Sequence, residues 1–158
     1  MFHVVLFEPE IPPNTGNIMR LCANTGCELH LVEPLGFSLD EKRLRRAGMD
    51  YRDLSVISSH PNWLACLQSI RNKQPSARVF ACTTKGSQAH TKATFQAGDI
   101  ILMGPETRGL PPEIIEATPP AYRLRIPMAP QSRSLNLSNA TAVILYEALR
   151  QTGFEGLS

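Results

Sequence analysis

Short apolar runs alternate along this chain with segments whose apolar residues recur at helical spacing, and that alternation limits the fold more than any other feature. Phe2–Phe7, Glu28–Val32, Arg78–Cys82, Asp99–Met103 and Tyr122–Ile126 read as strands, with a weaker one at Leu54–Ile57. Between them the spacing predicts helices. Asn14 is suited to cap the first, with Ile18, Leu21, Cys22 and Thr25 on one stripe and Gly26 at its end. Asp40 can cap a short helix through Ala47 that stops at Gly48. Pro61 suits the start of a helix reaching about Asn72, Pro111–Ala117 reads as a short helix, and a last one runs from about Ser138 to Gln151. This β-α-β-α order with mostly apolar strands implies an α/β domain whose parallel sheet is covered by helices on both faces. Nothing in residues 1–158 reads as a repeat or linker, so a single domain is expected.

A chain of 158 residues buries enough surface to fold without disulfides or metals. Sixteen Lys and Arg against fourteen Asp and Glu leave a formal charge of +2, which excludes a histone-like polycation. No stretch approaches the ~20 apolar residues that cross a bilayer, and the opening residues lack the basic start and small-residue cleavage site of a secretory signal. The expected location is therefore the cytoplasm, without a membrane partner. Cys22, Cys27, Cys66 and Cys82 form no C-x-x-C pair and no paired-His spacing, so reduced, buried thiols are expected and no metal site.

In parallel sheets ligands bind beyond the carboxyl ends of the strands, which directs attention to the loops after residues 7, 82, 103 and 126. The first, Glu8 to Asn17, is stiffened by three prolines and leads into a helix start. On that helix Arg20 shares a polar face with Gly16, Asn17 and Asn24; an anionic ligand or plain solvent would suit it equally. The loop Gly104 to Pro111 has a G-x-x-x-x-G spacing after a strand. Leu-Pro stands where a Walker loop needs Lys-Ser/Thr, so it is not a triphosphate loop, nor is it a G-x-G-x-x-G dinucleotide turn. The loop from Arg125 to Ala140 carries Ser132, Ser134, Asn136, Ser138 and Asn139 into the last helix, more polar residues than one cap requires. Lys42, Arg43, Arg45, Arg46 and Arg52 cluster but are partly cancelled by Asp40, Glu41, Asp50 and Asp53; a solvated face and a phosphate-tracking patch both fit.

Three of these loops carry motifs. N-x-G-N-x-x-R (Asn14 to Arg20), G-P-E-x-x-G-L (Gly104 to Leu110) and I-P-M-x-P-x-S-x-S-L-N-L-S-x-A (Ile126 to Ala140) resemble the three motifs of the SPOUT RNA 2′-O-methyltransferases, in the same order. The likeness spans essentially the whole chain. E-P-E-I-P-P-N-T-G-N at its opening, L-R-R-A-G-M-D-Y (Leu44 to Tyr51) and T-T-K-G (Thr83 to Gly86) resemble the small members that act on the tRNA wobble nucleotide.

The resemblance implies an α/β-knot fold with a C-terminal trefoil knot, against the general rule that chains stay unknotted. It also implies S-adenosyl-L-methionine as cofactor, a homodimer, and the tRNA anticodon stem-loop rather than DNA as partner. By the same resemblance Arg20 and Asn14 are catalytic, with Ser134 and Asn136 positioning ribose or cofactor. Cys82, Gly104, Glu106, Ile126, Ser134 and Leu135 line the cofactor site, with Glu106 either touching the cofactor or pairing with an arginine. A solvated guanidinium is a poor base, its pKa lying above about 12, so Arg20 is either unusually tuned or orients phosphate. No metal is needed for a methyl transfer of this kind. The residues alone also fit a non-catalytic RNA-binding module, or a flavodoxin-like protein, although Pro12 and Pro13 leave the first loop poor in donors for a phosphate.

Overall fold

The computed structural model describes residues 1–46, 48–50, 53, 54 and 56–158. Ala47, Tyr51 and Arg52, which belong to the sequence expectations above, lie outside the described residues. The elements run β1 (His3–Phe7), α1 (Pro12–Thr25), β2 (Glu28–Val32), α2 (Glu41–Arg46), β3 (Ile57–His60), α3 (Trp63–Lys73), β4 (Val79–Cys82), β5 (Gln88–Ala89), β6 (Ile100–Met103), α4 (Pro112–Ala117), β7 (Arg123–Arg125) and α5 (Leu137–Gln151).

The strands form one sheet in the order β3-β2-β1-β6-β4-β7-β5, and every pairing is parallel. The chain winds outward through β1, β2 and β3, crosses to β4, and then inserts β6 between β1 and β4. That reversal opens a crevice at the carboxyl ends of the central strands. Because side chains alternate along a strand, each strand feeds two cores. Val4, Leu6, Leu29, Leu31 and Ile101 pack with Ile18, Met19 and Cys22 of α1 and Ile144, Leu145 and Ala148 of α5. Val5, Phe7, Val32, Ile100 and Leu102 pack with Cys66 and Ile70 of α3 and with Leu110. Helices on both faces of a parallel sheet are what the alternation required.

Local chemistry explains where the boundaries depart from the sequence reading. Asn14 does not cap α1: Pro12 and Pro13, with φ preset for a helix and no N–H to satisfy, take its first two positions, so the helix starts ahead of Asn14 with Ile11 as its cap residue. This frees the Asn14 side chain for other work. Gly26, at φ 71°, ends the helix in the left-handed conformation as expected. The third strand covers Ile57–His60 rather than Leu54–Ile57. Asn62, not Pro61, caps α3, its Oδ1 accepting from the Ala65 N–H at 2.8 Å. Asn136 caps α5, which starts at Leu137; its Oδ1 accepts from the Ser138 and Asn139 N–H groups. The two-residue β5 was too short to show in the pattern.

Candidate active site

Beyond the carboxyl ends of β4, β6 and β7 lies a cleft of about 450 Å³. Its floor is Cys82, Met103 and Leu124, its apolar walls include Ile126, Leu135, Leu137 and Ile144, and Thr83, Asn14, Glu106, Ser134 and Asn136 add polar groups. The volume and the mixture suit one small organic ligand. All the residues assigned to a cofactor site by resemblance, Cys82, Gly104, Glu106, Ile126, Ser134 and Leu135, line this cleft.

Gly104 ends β6 where the chain folds back on itself. A Cβ there would stand 2.4 Å from the Leu110 nitrogen and 2.6 Å from the Gly109 carbonyl carbon, so only glycine lets residues 104–110 close. Gly86 plays the same part in the T-T-K-G turn, where a Cβ would stand 2.5 Å from the carbonyl carbon of Leu124. Burial pushes the Cys82 thiol up to about 12, so it presents a neutral, apolar surface to the cleft.

The three motif loops are fastened together by one chain of hydrogen bonds. The Asn136 Nδ2 donates to Asn14 Oδ1 at 3.0 Å, and Asn14 Nδ2 donates to Glu106 Oε2 at 3.3 Å. The Glu106 carboxylate also accepts the backbone N–H of Glu10 at 2.9 Å and of Ile11 at 2.8 Å. It thus takes up amides ahead of a helix that has no side-chain cap of its own. Glu10 reciprocates, accepting the Thr107 N–H at 2.9 Å and its hydroxyl at 2.8 Å. These bonds, backbone first, and the Arg108 charge hold the Glu10 carboxyl below the usual carboxylate range. Arg108 in turn meets Glu8 at 3.2 Å. Among the described residues, the hydrogen-bond partners of Glu106 are therefore amides, and no arginine pairs with it.

Arg20 is placed elsewhere. Its guanidinium donates to the Gly48 carbonyl at 2.6 Å and lies 3.8 Å from Asp53, with about half of the side chain exposed. It is not among the residues lining the cleft. The cations on the cleft itself are Arg108, Arg125 and Arg133. The sequence reading gave no role to Glu8, Glu10 or Thr107. Their signal was present in the E-P-E opening, but its meaning depends on a contact almost a hundred residues away.

Residues 1–146 match the model of the SpoU rRNA Methylase family. The chain belongs to this family. A tRNA (cytidine(34)-2′-O)-methyltransferase of Yersinia pestis is 58% identical over 158 residues, covering 99% of this chain and 97% of that protein. A solved structure concerned with 2-OH methylation of C/U34 on tRNA superimposes with a TM-score of 0.86 at 44% identity, over 97% of each chain. The SpoU methyltransferase AviRb from Streptomyces viridochromogenes, in complex with AdoMet, gives a TM-score of 0.79 at 25% identity over 95% of this chain and 57% of that one. A SpoU methylase with an α/β fold is thus what the alternation and the three motifs described.

Proposed function

We propose that this SpoU methylase transfers a methyl group from S-adenosyl-L-methionine to the ribose 2′-oxygen of the tRNA wobble nucleotide. The observation that carries the proposal is the convergence of all three motif loops on one cleft, through the Asn136–Asn14–Glu106 chain. Near-identical length and 58% identity to a tRNA (cytidine(34)-2′-O)-methyltransferase favour this substrate over another tRNA or rRNA nucleotide.

The cleft fits the cofactor. The tight turn at Gly104 brings backbone to the edge of the cleft, Ile126 and Leu135 offer apolar walls for a purine, and the neutral Cys82 lines the strand end. When bound, S-adenosyl-L-methionine supplies an electrophilic methyl on a sulfonium. The chain supplies alignment: bringing two reactants into line is worth about 7–11 kcal/mol in favourable cases. With the cofactor held there, the ribose 2′-oxygen would take the sulfonium methyl and release its proton to solvent, and S-adenosyl-L-homocysteine would be left. Ser134, exposed and lining the cleft, would hold ribose or cofactor in this reading. Asn14 and Asn136 bond to one another and act by holding the loops that shape the cleft.

Arg20, a permanent cation, binds RNA phosphate. It lies off the cleft of its own chain, and a homodimer supplies the remedy by presenting it to the cleft of the second copy. The outer face of α5 supports a dimer: Val143 and Tyr146 are 42% and 46% exposed, and Phe154 stands beside Tyr146 with ring centroids 6.5 Å apart. Lys42, Arg43 and Arg46, all exposed on α2, extend the phosphate-binding surface toward the anticodon stem-loop. The C-terminal trefoil knot, the cytoplasmic location and an absence of DNA binding belong to the same reading.

Labelled methyl transfer to total tRNA, followed by mapping of the modified nucleotide, tests it. Incorporation at position 34 is expected, and no incorporation into any RNA would defeat it. Arg20→Ala should abolish transfer while calorimetry shows S-adenosyl-L-methionine still bound; unchanged turnover would remove Arg20 from the mechanism. A non-catalytic RNA-binding module would bind tRNA without binding the cofactor.

A further inference from the structure

On the face of the sheet that packs against α3, three imidazoles and a thiol interrupt an otherwise aliphatic layer. The parallel register puts them there. His30 lies opposite Val5, two residues beyond His3, and His60 lies two residues beyond Ser58, which is opposite His30. Side chains two residues apart share a face, so His3, His30 and His60 form a diagonal across β1, β2 and β3. Cys66 of α3 closes over it. All four are buried, between 0% and 9% exposed. None of them lines the cleft described above.

We propose that His30, His60 and Cys66 bind a borderline-soft divalent metal ion of the zinc class. His30 Nδ1 and His60 Nε2 stand 3.0 Å apart, and one ring nitrogen of each histidine lies within 4.8 Å of the Cys66 sulfur. A tetrahedral ion with 2.0–2.1 Å bonds to nitrogen separates its nitrogen ligands by about 3.3 Å. The two imidazoles therefore need to part by a few tenths of an ångström and to turn from each other toward the ion, the proton now between them moving to a ring nitrogen that is not a ligand.

A water would fill the fourth position, and the surroundings orient the histidine ligands. With Nδ1 on the ion, His30 presents Nε2–H to His3 Nδ1 at 3.1 Å, and the Glu28 carboxylate lies 3.5 Å from the same nitrogen. His3 Nε2 hydrogen-bonds Gln74 Oε1. An outer shell of this kind fixes the tautomer and orientation of a ligand histidine. Two neutral imidazoles and one thiolate leave one positive charge on the ion, and Glu28 is the adjacent counter-charge. Binding releases the Cys66 proton to solvent. Without an ion the imidazoles can relay hydrogen bonds among themselves, but among the described residues that relay makes no bond to Cys66. The ion gives all three groups one purpose. No spacing motif announces the site, because its ligands come from β2, the end of β3 and the first turns of α3.

The test uses the untagged full-length protein after EDTA treatment, titrated with cobalt(II). One equivalent per chain is expected, with a sulfur-to-cobalt charge-transfer band in the near ultraviolet that zinc(II) abolishes by displacement. Cys66→Ser should lose that band, and His30→Gln should weaken binding at least 100-fold. Glu28→Gln, at a half-buried position whose loss threatens folding less, should weaken it about 10–100-fold. No stoichiometric cobalt band in the parent protein overturns the proposal, and so does a band that persists in Cys66→Ser.

Discussion

Glu106→Ala is the perturbation with the most to say about how the cleft is held. The carboxylate accepts three N–H groups, from Glu10, Ile11 and Asn14, at 2.9, 2.8 and 3.3 Å. Hydrogen bonds to a charged partner contribute about 1.5–3 kcal/mol each, and a buried donor left without a partner costs about 1–3 kcal/mol. Ile11 is exposed, so water replaces the lost acceptor there at small cost. Asn14 is buried, 6% exposed as a residue, so its side-chain amide pays most of the penalty. The sum is about 2–4 kcal/mol. For a chain of this length each kcal/mol moves Tm by about 2–4 °C, which places the expected fall at roughly 5–15 °C at fixed chain concentration. The assay is thermal unfolding of Glu106→Ala, Asn14→Ala and the double variant, with calorimetric cofactor binding alongside. Since both residues serve one chain of bonds, the double variant should lose less than the two single losses added, by about 0.5–3 kcal/mol. A Tm within 1 °C of the parent, with losses that simply add, would refute the clasp. A Glu106 that served only as a cofactor contact would give weakened binding with Tm unchanged.

Gly104→Ala drives a Cβ to 2.4 Å from a backbone nitrogen that cannot yield without moving the loop. A destabilisation of at least about 1–3 kcal/mol and a tenfold or greater loss of cofactor affinity are expected, and wild-type affinity by calorimetry would contradict the packing argument. Burial pushes the thiols of Cys66 and Cys82 up to about 12 and that of Cys22 upward as well, and all four cysteines are buried. A thiol reagent should therefore label the native chain slowly and four thiols once it is unfolded; a fast-reacting native thiol would count against this interior. His30 is held down to about 3, by burial first and then by His3 and His60. The fold favours its neutral form, so its contribution is full above the unfolded value near 6.5 and is lost as pH falls from there toward 3. At pH 5 the loss is about 2 kcal/mol, read by urea unfolding of EDTA-treated protein; stability that is flat between pH 7 and 5 would contradict it.

The sheet was legible because buried parallel strands leave continuous apolar runs, and Val4–Phe7 and Ile100–Met103 could be little else. Errors fell where chain ends compete locally. Asn14 looks like a cap because its residue type is right, yet the two prolines ahead of it start the helix two residues earlier and leave Asn14 inside its first turn. The cleft was legible as loops, since the ligand-binding edge of a parallel sheet is fixed by topology. Its internal wiring was not. Glu10 and Thr107, or Asn14 and Asn136, are about a hundred residues apart, and only the insertion of β6 between β1 and β4 brings them together. The histidine diagonal was hidden for the same reason: it depends on the register between strands, and a single sequence contains no register.

That wiring also bears on why the chain can act with a formal charge of only +2. Stiff loops lose little freedom on binding, so less of the interaction energy is spent on ordering them. Pro9, Pro12, Pro13, Pro105, Pro111, Pro127 and Pro130 all fall in or beside the loops that shape the cleft, and the Glu106 and Glu10 bonds join two of those loops. Arg20 stands on the helix that this clasp anchors, eight residues beyond Pro12, with its guanidinium against the Gly48 carbonyl and near Asp53. In the proposed role, a cation already fixed on a rigid helix would meet a phosphate without first being ordered itself. Few cations can then suffice, and salt should weaken RNA binding with a shallow slope, since few counterions are released.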